Sequence, residues 1–182
     1  MTLSPKDNPK QLYPEDLLSD VDAQWRVAHV KSRREKALAH YLAKENIGYY
    51  LPMFQKKQAN NRRQRFSLVP VFPGYLFFRA NESQRYRAVC SNHIARIIDV
   101  YDIRQFLDEL SQIRQTLSAG VPVYPYDFLN EGQQVRVKSG PLKDLEGIVV
   151  RKTNACRLVL SVTSIMQSVA VEIDADQVEP IR

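Results

Sequence analysis

The chain has few of the residues that usually carry chemistry: two cysteines, three histidines and six glycines among 182 residues. Cys90 and Cys156 stand singly and far apart, which excludes a disulfide framework or a paired-cysteine zinc site. His29, His40 and His93 are isolated, and no Ser, Cys or paired carboxylate joins one of them at a nucleophile or metal-ligand spacing. The glycines do not make a phosphate loop, because no Gly-rich repeat followed by Lys-Ser/Thr occurs. No apolar run reaches membrane-spanning length, and the start lacks the basic-then-apolar pattern of a signal peptide. The expectation is a cytoplasmic protein with no membrane partner, no catalysis, no metal and no cofactor.

Acids are scarce in one place, and that fixes where the charge lies. Residues 1–24 carry two Lys against five acids, residues 25–65 carry eleven Lys or Arg against two acids, and residues 132–182 carry seven against six. The net charge of +6 therefore sits in the first half of the folded part, where a polyanion would be drawn. An apolar fraction of 44% is ordinary for a folded protein, so this is not a disordered chain.

The strongest local pattern is residues 68–79, Leu-Val-Pro-Val-Phe-Pro-Gly-Tyr-Leu-Phe-Phe-Arg. Tyr75 and Phe77 alternate with Leu76 and Phe78, an apolar strand with large side chains on both faces. Pro73-Gly74 sets its entry, since Pro cannot donate to a ladder and Gly accepts a bend that no side chain permits. Phe72, Pro73, Tyr75 and Phe77 then form an aromatic cluster that either packs a core or docks a partner.

Around that strand the chain reads as follows. Residues 1–24, with three prolines and scattered acids, predict a flexible leader outside the core, with a short helical turn at 15–18. Residues 25–30 alternate as a first strand. A helix is expected over 33–46, with Ser32 as cap, Glu35 as capping-box partner and Gly48 as stop. Residues 49–54, interrupted by Pro52, predict an edge strand, and a basic loop with Lys56, Lys57, Arg62, Arg63 and Arg65 follows. Further on, a helix is expected over 82–91, a strand over 94–100, a helix over 102–117 ended by Ala119-Gly120, and an extended linker over 121–131. Five short β-branched runs at 134–138, 146–152, 157–162, 168–173 and 178–181 suit a small barrel. The fold class is therefore α+β. It comprises an N-terminal antiparallel sheet with flanking helices over 25–120 and a five-stranded β-barrel over 132–182.

The barrel's entry, Val135-Arg-Val-Lys-Ser-Gly-Pro-Leu-Lys-Asp-Leu-Glu-Gly147-Ile-Val-Val-Arg-Lys152, resembles a KOW motif, with Gly140-Pro141 in the turn and Gly147 where a bend or close backbone approach is needed. Upstream, Trp25-Arg-Val-Ala-His-Val-Lys-Ser-Arg-Arg-Glu-Lys36, Leu51-Pro52, the basic loop and Phe72-Pro73-Gly74-Tyr75 follow in the order of the NusG family of transcription elongation factors. The resemblance covers residues 25–182. Arg33-Arg34 before Glu35-Lys36 is closer to the specialised RfaH-like paralogues than to the general factor. His93-Ile94 stands where the family often has Gly-Val, and Met166, after Ile165, stands where the general factor has a Phe that contacts a ribosomal protein.

The resemblance implies a transcription elongation or antitermination factor. It would bind RNA polymerase through His29, Phe72, Pro73, Tyr75 and Phe77, and promote processive transcription of particular operons. Lys56, Lys57, Arg62, Arg63 and Arg65, with Arg85 and Arg87, would meet DNA of the transcription complex. Ile165 and Met166 would present a second-partner surface, with a ribosomal protein as one candidate, on a monomeric chain. The competing reading is an RNA- or ribosome-binding KOW protein without a polymerase role. Period-two alternation over 157–163 and 168–173 predicts strands, not a helical hairpin, for the C-terminal part.

Overall fold

Alternation along residues 25–30 places Trp25, Val27 and His29 on one face and Arg26, Ala28 and Val30 on the other, as a strand covered on both sides requires. A computed structural model of the chain describes residues 8–21, 23–58, 65–126, 132–152 and 155–181. Its contacts divide the chain into two units, Met1–Ile103 and Arg104–Arg182.

The N-terminal unit holds strands β1 (Leu12–Tyr13), β2 (Trp25–Val30), β3 (Tyr49–Tyr50), β4 (Met53–Gln58), β5 (Arg65–Pro70), β6 (Tyr75–Arg79) and β7 (Ile94–Asp99), with helices α1 (Glu35–Lys44) and α2 (Glu82–Cys90). Five strands form an antiparallel sheet in the order β1-β3-β6-β2-β7, while β4 and β5 pair with each other as a separate hairpin. Leu38, Ala39 and Leu42 of α1 bury against Ala28, Val30, Leu76 and Phe78 from the sheet. Arg26 lies on that same face but is charged, and its buried guanidinium donates to Asp99, Glu82 and the Ala80 carbonyl. Those bonds tie β2 to β7 and to the start of α2.

Several expectations change here. Residues 8–19 are not a flexible leader: β1 pairs with β3, a 3-10 turn follows at Leu17–Ser19, and Leu12, Leu17 and Leu18 are buried. The expected turn at 15–18 overlaps that segment. Backbone and side chain both hold it, since Leu51 N donates to Gln11 O at 2.7 Å and the Tyr49 hydroxyl donates to Lys10 O at 3.0 Å. Burial, then the neighbouring Tyr13, pushes the Tyr49 pKa up to about 12. Pro52 splits the expected 49–54 strand in two, and β3 is not an edge because β1 covers it. Helix α1 has Arg34 at its N-cap with no side-chain cap, and it ends at Lys44 with Glu45 as C-cap, Asn46 turning left-handed at φ 53° before Gly48 is reached. A capping box does occur, at α2, where the Asn81 and Gln84 side chains exchange bonds with each other's backbone N–H.

The C-terminal unit holds α3 (Ile103–Ser118), β8 (Tyr124–Tyr126), β9 (Gln133–Val137), β10 (Glu146–Lys152), β11 (Ala155–Val162), β12 (Gln167–Ile173) and β13 (Val178–Pro180). The alternating runs are strands, as their period requires. The expected five-stranded barrel is instead an open six-stranded sheet, ordered β13-β9-β10-β11-β12-β8. The sixth strand comes from residues 121–131, expected as an extended linker, and pairs Tyr124–Tyr126 with β12. Both edge strands are three residues long and carry a proline, Pro125 and Pro180. A proline withholds one ladder donor, which suits an edge and not a closing seam.

The division falls at the start of α3, after its first residue Ile103, and side chains on that helix explain its place. Glu109 accepts from Thr163 N at 3.0 Å and Thr163 Oγ1 at 2.6 Å. Gln112 accepts from Glu146 N, and Gln115 donates to Lys143 O, each at 3.0 Å. Phe106, Leu107, Leu110 and Ile113 are its buried apolar positions.

Candidate partner-binding surfaces

The Phe72–Tyr75 turn is built by residues that the sequence places far from it. Gly74 sits at φ +84°, a conformation that favours glycine, and its carbonyl accepts from Val30 N at 2.7 Å. Its N–H donates to the Glu35 carboxylate at 2.8 Å. Glu35 therefore does not serve as capping-box partner to Ser32. It is buried at the start of α1 and fixes the turn across the sheet. The next residue acts in a parallel way, because Lys36 Nζ donates to Asn8 Oδ1 and to Leu68 O, both at 2.6 Å, holding the N-terminal segment and β5. Burial lowers the Lys36 pKa, against an opposing pull from Glu35.

Glu35→Ala would leave the Gly74 N–H without its acceptor. Stability measured by urea unfolding is expected to fall by about 1–3 kcal/mol, with Glu35→Gln recovering most of the loss because its amide oxygen can still accept. Equal losses in the two variants would show that the bond itself contributes little.

On this turn the five expected polymerase-binding residues separate into two groups. Phe72 and Phe77 are buried, at 2% and 0% exposure, and pack edge to face with ring centroids 6.0 Å apart. Phe77 also lies 6.4 Å from Tyr50, its register partner on β3. His29 and Tyr75 are half-buried register partners on β2 and β6, with tilted rings 5.2 Å apart, and Pro73 is exposed. The accessible surface is thus His29, Pro73 and Tyr75, resting on a buried Phe72–Phe77 pair. Beside the end of β2, burial and then the Arg34 and Lys31 cations lower the His93 pKa.

The expected nucleic-acid residues are less fully placed. Lys56 is exposed on β4. Lys57 and Arg65 lie in β4 and β5 at the tip of the hairpin, and Arg62 and Arg63 lie outside the described residues. Arg85 and Arg87 on α2 already pair with acids, Arg85 with Glu82 at 3.9 Å and Arg87 with Glu45 at 3.1 Å. Such exposed pairs are weak enough to be exchanged for a phosphate.

In the C-terminal unit, Gly140 takes φ +86° in the turn before Pro141, and Gly147 lies in β10 opposite Val135. Of the second-partner pair, Ile165 is buried whereas Met166, left-handed at φ 50°, is 62% exposed. Among the described residues no three His, Cys, Asp or Glu side chains come together as a metal site, and no helix is long and apolar enough to cross a membrane.

Comparison with known proteins fits this arrangement. The family model for NusG, described as transcription termination factor nusG, matches residues 23–118. The chain belongs to the NusG family. This is a family of transcription factors, and the matched span contains the β2 strand, the locked turn and the basic hairpin. A solved Thermotoga maritima NusG, from work on its domain interaction, is similar at 16% identity over 88% of this chain and 98% of that one, with a TM-score of 0.50. That likeness concerns the fold alone. A chain of the MjSpt4:Spt5 complex aligns at 13% identity over 86% of this chain and 96% of its own, with a TM-score of 0.25, too low to carry an argument. No curated protein matches the chain.

Proposed function

We propose that the chain binds RNA polymerase through His29, Pro73 and Tyr75 and holds the enzyme in a processive state, acting as an elongation or antitermination factor. The observation that carries this reading is the accessible patch on a rigid support: a half-buried aromatic pair beside an exposed proline, on a turn locked by Glu35 and Val30. Aromatic side chains on a preorganised surface are suited to protein docking. Family membership supplies the class of partner. In this reading residues 25–120 are the polymerase-binding domain, residues 132–182 are a KOW domain that offers Met166 to a second protein, and the factor works in the cytoplasm without catalysis or cofactor. Ser32-Arg33-Arg34 ahead of Glu35-Lys36 favours an RfaH-like specialist serving particular operons.

A second role is favoured by one feature, the acid-free basic hairpin. In this reading its cations meet DNA of the transcription complex, and a KOW protein that binds RNA or the ribosome would use the same hairpin. Salt separates the two modes, because phosphate contacts weaken steeply with ionic strength whereas apolar docking persists. Tagged protein is expected to retain polymerase subunits at high salt and to release nucleic acid. A His29→Ala/Tyr75→Ala double variant that stays folded should lose polymerase by at least about tenfold in affinity. Retention of polymerase by that variant would reject the docking site, and retention of ribosomal proteins alone would favour the second reading.

A further inference from the structure

We infer that Phe66 on the β4–β5 hairpin is a base-stacking residue for single-stranded nucleic acid. The inference rests on the proposal that this hairpin meets nucleic acid. Most large aromatic side chains of the N-terminal unit are packed, but Phe66 is 57% exposed, and it is the one phenylalanine among the exposed large apolar side chains of the described residues. Unlike an exposed tyrosine, it has no polar group to satisfy in water.

Its position follows from the register. β4 and β5 hydrogen-bond as a two-stranded sheet, with Gln55 opposite Leu68 and Lys57 opposite Phe66. Side chains two apart share a face. At Leu68 that face meets the core around α1; one step nearer the tip, Phe66 continues the same face out into solvent. The base of the hairpin is anchored, since Leu68 O accepts from Lys36 and Val71 N donates to Pro52 O at 2.8 Å. An aromatic ring is thus held out on a fixed ribbon.

Charge selects the occupant. No acid occurs between Glu45 and Glu82, whereas Lys56, Lys57, Arg62, Arg63 and Arg65 fall within that span. Lys57 is the register partner of Phe66, while exposed Lys56, across from Ser67, lies one position along and so on the other face of the ribbon. A cationic ribbon bearing an aromatic face matches a strand whose phosphates are neutralised while an unstacked base lies on the ring. Duplex DNA offers the same phosphates but keeps its bases stacked on one another, so the ring discriminates for single strands.

The test uses full-length protein and a fluorescein-labelled twelve-residue oligothymidine, read by anisotropy across a salt series, with the corresponding duplex alongside. Phe66→Ala and Phe66→Leu are each expected to weaken single-strand binding by about tenfold with an unchanged salt slope, and to leave duplex binding unaffected. Leu keeps apolar bulk without a π face, and serves also if the Ala variant misfolds. Phe66→Trp should bind like the parent and show indole quenching on addition of the oligomer. Replacing the five cations with Ser should flatten the salt slope. If that charge variant binds as tightly as the parent, the nucleic-acid reading of the hairpin fails. If the charge variant weakens while Phe66→Leu binds like the parent, or the Trp variant shows no quenching, the stacking role alone is overturned.

Discussion

Phe77→Ala is expected to remove about 3–5 kcal/mol of stability, enough to threaten folding, while Tyr75→Ala two residues earlier leaves the fold in place. The two side chains share a strand face and belong to one aromatic cluster, yet their environments differ. Phe77 is fully buried, edge to face with Phe72 and beside Tyr50, so its truncation opens a cavity that neighbouring β2 and β3 cannot collapse to fill. Tyr75 is half-buried at the strand entrance, and its main ring neighbour is His29. Urea unfolding of the two variants gives the stabilities, and polymerase pull-down at matched folded concentration gives the binding. The proposal requires the effects to cross over, with Phe77→Ala destabilised but Tyr75→Ala defective in binding. A Phe77→Leu variant, which keeps most of the volume, should bind polymerase normally once folded. If it does not, Phe77 itself contributes to the docking surface.

That division marks how far the sequence can be read. Alternation over residues 75–78 implies two apolar faces, but period alone does not say which ends of the strand are covered. The regular elements are legible because their signals are local: β2 and β10 begin and end where expected, and α2 and α3 lie within a residue or so. The N-terminal segment is not. Leu12 and the adjacent Leu17-Leu18 are too few and too widely separated to show a period, and the bonds holding the segment to β3 and Met53 come from backbone groups and Gln11. Glu35 is ambiguous for another reason. A carboxylate three residues after a serine satisfies the capping pattern, and only the fold reveals that an N–H from Gly74, thirty-nine residues away in sequence, competes for it successfully. Pro125 suggests a linker by its type, yet an edge strand tolerates it. Phe66 does carry a signal in the sequence, since it alternates with Leu68 inside an acid-free run.

Gly147→Ala is expected to be strongly damaging to the C-terminal unit, and Gly140→Ala provides its control. A Cβ on Gly147 would stand 2.5 Å from the Val159 carbonyl oxygen, 3.0 Å from Leu158 Cδ1 and 3.2 Å from Leu160 Cδ2. The nearest of these is backbone in the paired strand β11, so no rotamer change relieves it, and the β10–β11 ladder must part. Overpacking of this kind costs roughly 1–3 kcal/mol or more, and here it acts on the central pair of the sheet. At Gly140 the difficulty is conformational. Its φ is +86° but the nearest atom to an added Cβ is 3.9 Å away, so Ala bears only the left-handed strain, about 1–2 kcal/mol. Asn, which tolerates that region, should recover part of the loss at Gly140 but worsen the clash at Gly147. Chemical unfolding of the four variants, with amide exchange on β10 and β11, distinguishes the two causes. Exchange should quicken throughout both strands in Gly147→Ala, but only near the turn in Gly140→Ala. Equal protection across β10 and β11 in the two Ala variants would mean that the close approach at Gly147 is relieved by small backbone shifts.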